Sequence, residues 1–276
     1  MKTRIISAAV AIVVAVVLLI LHDTFIFNIA IGFLSVVALT EIFKATKMNR
    51  HPAEVYVCCA YAAVDVILPL FWMKGHLYFL SSRLYFGLFI VAMCVLLLKK
   101  HDTMKAPETF FMIGITWLIT YAFQTLLLLS SRPKGGVFLL VITLCAAWLA
   151  DSGAYFAGTF FGKTKLCPGI SPKKTVEGLV GGVLSNGVLM LVISLVYDKM
   201  LKGEDVNYIG VFAAGMIAAL LGLVGDLTAS VIKRQTGIKD YGNIMPGHGG
   251  VMDRFDSVLL VAPFMYYMTT QGLILK

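Results

Sequence analysis

Nine stretches of this chain are apolar for about the thickness of a bilayer: roughly 5–21, 25–43, 55–72, 84–98, 110–129, 137–161, 176–197, 209–232 and 257–275. A spanning helix needs about 20 such residues. In lipid only a helix or a closed barrel satisfies every backbone N–H and C=O. Charged residues make up 14% of the chain, against about 25% in ordinary globular proteins. Hydrophobic residues make up 59%, and the mean hydropathy is +0.88. Extended soluble domains, disorder and a disulfide scaffold are excluded on these grounds. The expected fold is all-α, a polytopic transmembrane helical bundle of about nine spans.

The net charge of +8 reads first as membrane topology and not as nucleic-acid binding. With the N-terminus inside and strict alternation, the inside segments hold Lys2, Arg4, Lys44, Lys47, Arg50, Lys99, Lys100, Lys105, Lys163, Lys165, Lys173, Lys174, Lys233, Arg234, Lys239 and Arg254, sixteen of the 23 basic residues. Outside fall Lys74, Arg83, Arg132, Lys134, Lys199, Lys202 and Lys276. The excess supports an inside N-terminus and an outside C-terminus. The first run follows Lys2 and Arg4 as a signal peptide would, but it ends in His22-Asp23-Thr24 without a small-x-small cleavage site. It is expected to be a retained span, joined to the second by a tight helical hairpin. The five cysteines (Cys58, Cys59, Cys94, Cys145, Cys167) form no C-x-x-C or Cys/His cluster, and inert thiols are expected.

The two halves differ. Residues 1–135 are generic apolar spans and read as a transmembrane scaffold, whereas residues 136–276 read as the catalytic region. In the latter, Gly, Lys and Asp concentrate at 151–182 and 225–256. Acidic side chains are costly in a bilayer. Glu41 and Asp65 stand alone, and packing against another helix explains each at least as well as function does. Asp151 and Asp226 each open a patterned stretch.

In the first stretch, Asp151, Tyr155, Gly158 and Gly162 share one helical face. Lys163 follows, and then Ser171-Pro172-Lys173-Lys174-Thr175-Val176-Glu177-Gly178, read as a loop that opens a helix at Val176. Backbone N–H groups, a positive helix end and two ammonium groups suit a polyphosphate. Lipid headgroups would account for the two lysines as well. Gly158 to Thr164 approaches a P-loop, but Ala157 stands where that pattern needs glycine, and a membrane helix precedes it in place of a strand.

In the second stretch, Asp226, Ser230 and Lys233 fall on one face of the eighth helix, with Arg234 and Lys239 beyond. Asp253 and Asp256, at i and i+3, are expected to point the same way from a helix start. Three carboxylates suit a hard cation such as magnesium. The run Gly247-His248-Gly249-Gly250 could wrap its amides around an anion.

The block from Ser230-x-x-Lys233-Arg234 through Lys239-Asp240-x-Gly242 to His248-Gly249-Gly250-x-x-Asp253-Arg254-x-Asp256 closely resembles the signature of the phosphatidate cytidylyltransferase, or CDP-diacylglycerol synthase, family. The stretches from Asp151 to Lys163 and from Ser171 to Gly178 resemble that family's second recurring block. The resemblance implies that CTP and phosphatidic acid, held with Mg2+, are converted to CDP-diacylglycerol and pyrophosphate. It further implies Asp226, Asp253 and Asp256 as metal ligands, acting with Lys233 and Arg234 in catalysis. Substrate contacts would come from Asp151, Lys163, Ser171, Lys173, Lys174, Thr175, Glu177, Ser230, Lys239, His248, Gly249, Gly250 and Arg254. Membrane lipid is a partner, nucleic acid is not, and a homodimer is compatible with such a bundle. The expected location is a bacterial cytoplasmic membrane with the site on the cytoplasmic side. Two other readings are a CTP-dependent polyprenol or phytol kinase and an ion-coupled transporter. The alcohol phosphotransferases that consume CDP-diacylglycerol fit less well, because Ser257 follows Asp256 where their pattern needs glycine.

Overall fold

The structure, a computed structural model, describes residues 2–67, 76–201, 206–247 and 249–275. Helices account for most of it: α1 (Lys2–Ile20), α2 (Phe25–Ala45), α3 (Pro52–Ile67), α4 (His76–Lys99), α5 (Ala106–Ser130), α6 (Gly136–Phe161), α7 (Val176–Leu201), α8 (Tyr208–Thr236), the short α9 (Met252–Phe255) and α10 (Val258–Thr270). Among the described residues six are long and apolar enough to cross a membrane: α2, α4 from Ser82, α5, α6, α7 to Lys199, and α8. The apolar parts of α1 and α10 that are described, Ala9–Ile20 and Val258–Thr270, are shorter. The run over 55–72 extends beyond α3 into residues outside the described ones, as do Lys74, Lys202, His248 and Lys276.

Helix ends follow local chemistry. The tight turn between α1 and α2 is closed by Thr24, whose N–H and Oγ1 both donate to the Leu21 carbonyl, at 2.9 and 2.7 Å. Pro52 occupies the first position of α3, where its missing N–H costs nothing. α8 ends with Lys233 and Arg234 in its last turn, followed by Gly237 at φ 72°, a charge and backbone arrangement that suits a helix C-terminus.

The chain forms two compact units that interleave in sequence. The first comprises Met1–Leu127 with Thr236–Arg254, and the second Leu128–Gln235 with Phe255–Lys276. Residues 236–254 thus group with the N-terminal helices, not with the helices that flank them in sequence.

In the first unit, Leu39, Ile42 and Phe43 of α2 are fully buried, and Tyr61 of α3 stacks on Phe89 of α4 with centroids 4.4 Å apart. Its buried carboxylates are matched by donors from other segments, whereas among the described residues the hydroxyls of Ser35, Thr109 and Thr120 are buried without a hydrogen-bond partner. Gln124 Nε2 donates to Asp65 Oδ2 at 3.0 Å and to the Asp65 carbonyl at 3.3 Å. Lys100 pairs with the buried Glu54 at 2.9 Å, and Glu108 meets both Arg50 and His51. All five cysteines are free thiols.

In the second unit α6 and α7 pack antiparallel over small residues. A Cβ on Gly178 would lie 2.8 Å from the Ala154 carbonyl, and one on Gly182 2.9 Å from that of Ala150. Close backbone approach of this kind is how helices associate without a hydrophobic drive. Asn186 of α7 locks the arrangement, donating to the Ala146 carbonyl of α6 at 3.0 Å and the Gly215 carbonyl of α8 at 2.8 Å.

Candidate active site

The segment between α6 and α7 is an antiparallel hairpin, β1 (Lys165–Cys167) with β2 (Ser171–Thr175). This corrects the expectation of a simple loop over Ser171–Thr175. Pro168-Gly169 supplies the turn, and pairing of Lys165 with Thr175 satisfies backbone that would otherwise be orphaned at the helix end. Glu177 then fastens the hairpin base, accepting the N–H groups of Lys163 and Thr164 at 3.1 Å. Thr175 Oγ1 accepts the Gly178 N–H at 3.1 Å and so closes the first turn of α7. Arg234 Nε donates to the Ile170 carbonyl at 3.4 Å, joining the end of α8 to the hairpin turn.

This hairpin holds Ser171, Lys173 and Lys174 over a cavity of about 520 Å3. Leu166, Leu179, Val183 and Leu223 form an apolar wall, and Asp151 and Asp226 complete the polar lining. Lys174 Nζ is paired with Asp226 Oδ2. Asp151 lies within electrostatic reach of both. Asp256, 7% exposed, accepts the Ser257 N–H at 2.7 Å and feels the charges of Asp226, Lys233 and Asp151. Burial, and after it the Asp226 charge, pushes its carboxyl up to about 7. The backbone of α8 comes close here: a Cβ on Gly225 would lie 3.2 Å from the Ser257 Cα.

The cavity thus gathers six of the expected residues: Asp151, Ser171, Lys173, Lys174, Thr175 and Asp226. Lys163, Glu177, Ser230, Lys233 and Arg234 do not line it. Among the described residues no three of His, Cys, Asp and Glu come together as a ready-made metal cluster. Magnesium needs fewer, because it keeps several waters and is commonly held by one or two carboxylates plus substrate phosphates. The neighbouring carboxylates of Asp226 and Asp256 are hard oxygen donors of that kind.

The signature loop of the first unit encloses a second, polar cavity of about 490 Å3, lined by Lys239, Asp240, Asn243, Met245, Pro246, Gly247, Gly249 and Arg254. Gly247 and Gly249 adopt φ of 80° and 86°, which L side chains avoid. The Met245 N–H donates to the Gly249 carbonyl at 3.0 Å. Asp253 Oδ2 accepts the N–H groups of Tyr241 at 2.7 Å and Gly250 at 3.0 Å. The Gly250 amide, expected to face an external anion, is therefore directed at a carboxylate of the protein itself. A further correction concerns Asp253 and Asp256. They do not share a helix start, because α9 ends at Phe255 and Asp256 follows it.

Glu41 is the residue that sequence reasoning left outside the site. Its Oε1 accepts the Val251 N–H at 3.1 Å and its Oε2 the Met252 N–H at 2.8 Å. This contact explains why residues 236–254 group with the N-terminal helices. The available signal was a carboxylate within an apolar span, but nothing local names a partner 210 residues away.

The model of the Cytidylyltransferase family matches residues 2–271. A protein of Haemophilus influenzae named phosphatidate cytidylyltransferase is 30% identical to this chain, covering 97% of it and 98% of the relative. Proteins of the same name from Bacillus subtilis and Rickettsia bellii are 32% and 34% identical; these matches cover 97% and 73% of this chain, and 97% and 84% of the relatives.

Proposed function

The chain belongs to the cytidylyltransferase family, and from that membership we propose that it is an integral-membrane enzyme joining CTP to phosphatidic acid. The products are CDP-diacylglycerol and pyrophosphate, the first an intermediate of phospholipid biosynthesis. The observation that carries the reading is the cavity of the second unit, which combines an apolar wall with Lys173, Lys174 and Asp226 at its polar side. That shape suits a lipid whose chains stay in hydrocarbon while its phosphate meets ammonium groups.

In the reaction a phosphate oxygen of phosphatidate attacks the α-phosphorus of CTP. The bond from that phosphorus to the bridging oxygen breaks, and pyrophosphate leaves with the electron pair. No enzyme nucleophile is needed; catalysis consists of positioning two anions and stabilising the developing charge. Lys173 and Lys174 bind the lipid phosphate, and Ser171 adds a hydroxyl. Asp151 and Asp226 orient Lys174. Lys233 and Arg234 extend the cationic field, with Ser230 on the same helix. Lys239, Gly249, His248 and Arg254 receive the triphosphate. Glu177 and Thr175 hold the hairpin, and Lys163 contributes its charge at the hairpin base.

Magnesium, bound by Asp226 and Asp256, would neutralise charge on the phosphates and the departing pyrophosphate. Asp253, with Oδ2 committed to two amides, serves the loop that surrounds the triphosphate.

The proposed topology has nine spans with the N-terminus inside a bacterial cytoplasmic membrane and the site on the cytoplasmic side. Supporting it, Glu54 at the start of α3 pairs with Lys100 at the end of α4, and Arg50 with Glu108 at the start of α5. Two of the basic segments assigned to the inside, around Arg50 and around Lys100, thereby meet at one end of the first unit.

The test is phosphatidate-dependent release of pyrophosphate from CTP by the purified full-length protein. Formation of CDP and a phosphorylated isoprenoid would replace this reading with the kinase one.

A further inference from the structure

Glu41 takes no part in the reaction just described, yet its surroundings are unusually specific. It lies in the last turns of α2, 6% exposed, in a mainly apolar helix whose one other charged residue is Lys44. A carboxylate there is costly unless its oxygens are matched. Both oxygens are matched by main chain of the signature loop, at Val251 and Met252. The loop is also shaped to admit the carboxylate: a Cβ on Gly242 or on Gly250 would overlap it. Asp253 ties the same loop from within through Tyr241 and Gly250. Two internal carboxylates therefore claim the amides of Tyr241, Gly250, Val251 and Met252, and the cavity-lining face of the loop presents Lys239, Asn243 and Arg254. With Lys239 and Arg254 set against the single acid Asp240, that lining is polar, has an excess of positive charge and has little apolar wall, which suits a nucleotide's phosphates better than a lipid.

We infer that Glu41 is a positioning residue for the nucleotide: through Val251 and Met252 its carboxylate fixes the loop on which Lys239 and Arg254 hold the phosphates of CTP. This rests on the reading that the chain uses CTP. Charge-assisted bonds from an amide to a carboxylate are among the stronger hydrogen bonds. Glutamine keeps the size of Glu41 but turns one acceptor into a donor that faces an amide N–H.

The test uses the full-length protein in lipid nanodiscs, comparing wild type with Glu41→Gln and Gly250→Ala, which disturb the same contact from opposite sides. Glu41→Gln is expected to raise KM for CTP by about tenfold, the scale of one lost buried charged acceptor. KM for phosphatidate should stay within about twofold. Amide exchange at Val251 and Met252 should accelerate. Gly250→Ala should give the same pattern, and the double variant should be little worse than the worse single one, since residues acting as a unit are non-additive. Equal changes in both KM values, unchanged exchange, or a change in KM for phosphatidate alone would overturn the inference, the last by giving the loop to the lipid. A wild-type protein that makes no CDP-lipid would instead overturn the reaction itself. Equilibrium binding of CTP would then decide about Glu41, with weaker binding by Glu41→Gln supporting its role and unchanged binding ending it.

Discussion

The acids of the two units are treated differently. In the first unit each buried carboxylate meets donors: Glu41 meets Val251 and Met252, Glu54 meets Lys100, and Asp65 meets Gln124. In the second, Asp151, Asp226 and Asp256 act electrostatically on one another, with Lys174 and Lys233 as the nearby cations. Mutual repulsion among acids is unfavourable in a medium of low dielectric, unless a cation is part of the working state. The contrast teaches that the same residue type serves as a fastener where its hydrogen bonds are closed by the protein. Where acids lie within reach of each other's charge, the arrangement fits the magnesium site proposed for Asp226 and Asp256.

The sharpest way to break this contrast is Asp226→Asn. The substitution keeps size and an acceptor oxygen but removes charge, and turnover is expected to fall by about a thousandfold, the scale of losing a metal-stabilised leaving group. Turnover of the folded protein, measured against CTP and magnesium, checks it.

Next in size is Lys174→Ala, which removes the ammonium paired with Asp226. Turnover should fall by about a hundredfold, as when a single charge-stabilising donor is lost. Lys174→Arg should recover part of it, because the positive charge remains while the geometry changes.

Gln124→Leu probes the other side of the comparison. It leaves the buried Asp65 without the Nε2 donor, and stability should fall by about 2 kcal/mol, the cost of an orphaned buried polar group. Activity per folded molecule should stay within about twofold. Thermal unfolding in detergent and normalised kinetics separate the two effects. A loss of activity without a loss of stability would mean that the first unit's acids are not simply fasteners.

The smallest effect is expected at Asp240, which is exposed on the rim of the polar cavity. Asp240→Asn should change turnover by less than about twofold, because surface charges in water are well screened.

Sequence legibility followed the range of the forces involved. Apolar runs announce helices because lipid imposes one local solution on the backbone, and the runs at 25–43, 110–129 and 137–161 match α2, α5 and α6 closely. The tight turn at His22–Thr24 was also readable, since it needed only a short polar break. The hairpin at Lys165–Thr175 was not, as strands of three and five residues are too short to show alternation. The stretches around Asp151, Lys174 and Asp226 stood out as polar clusters in apolar surroundings, and the structure does bring these three together. The spacing of Asp253 and Asp256 misled, because i and i+3 share a face only if the helix continues, and α9 stops at Phe255. Glu41 was legible as an anomaly but not as a partner of the signature loop, because that pairing is a tertiary event.

The central claim, that CTP and phosphatidate react through the Lys174 and Asp226 cavity, is tested most directly by following the label of CTP. With CTP labelled at the α-phosphorus, the wild-type protein should place the label in lipid, and with γ-labelled CTP it should release the label as pyrophosphate. Asp226→Asn, assayed beside it, should do neither at a comparable rate. Transfer of the γ-label to lipid, or normal magnesium-dependent turnover by properly folded Asp226→Asn, would contradict the account.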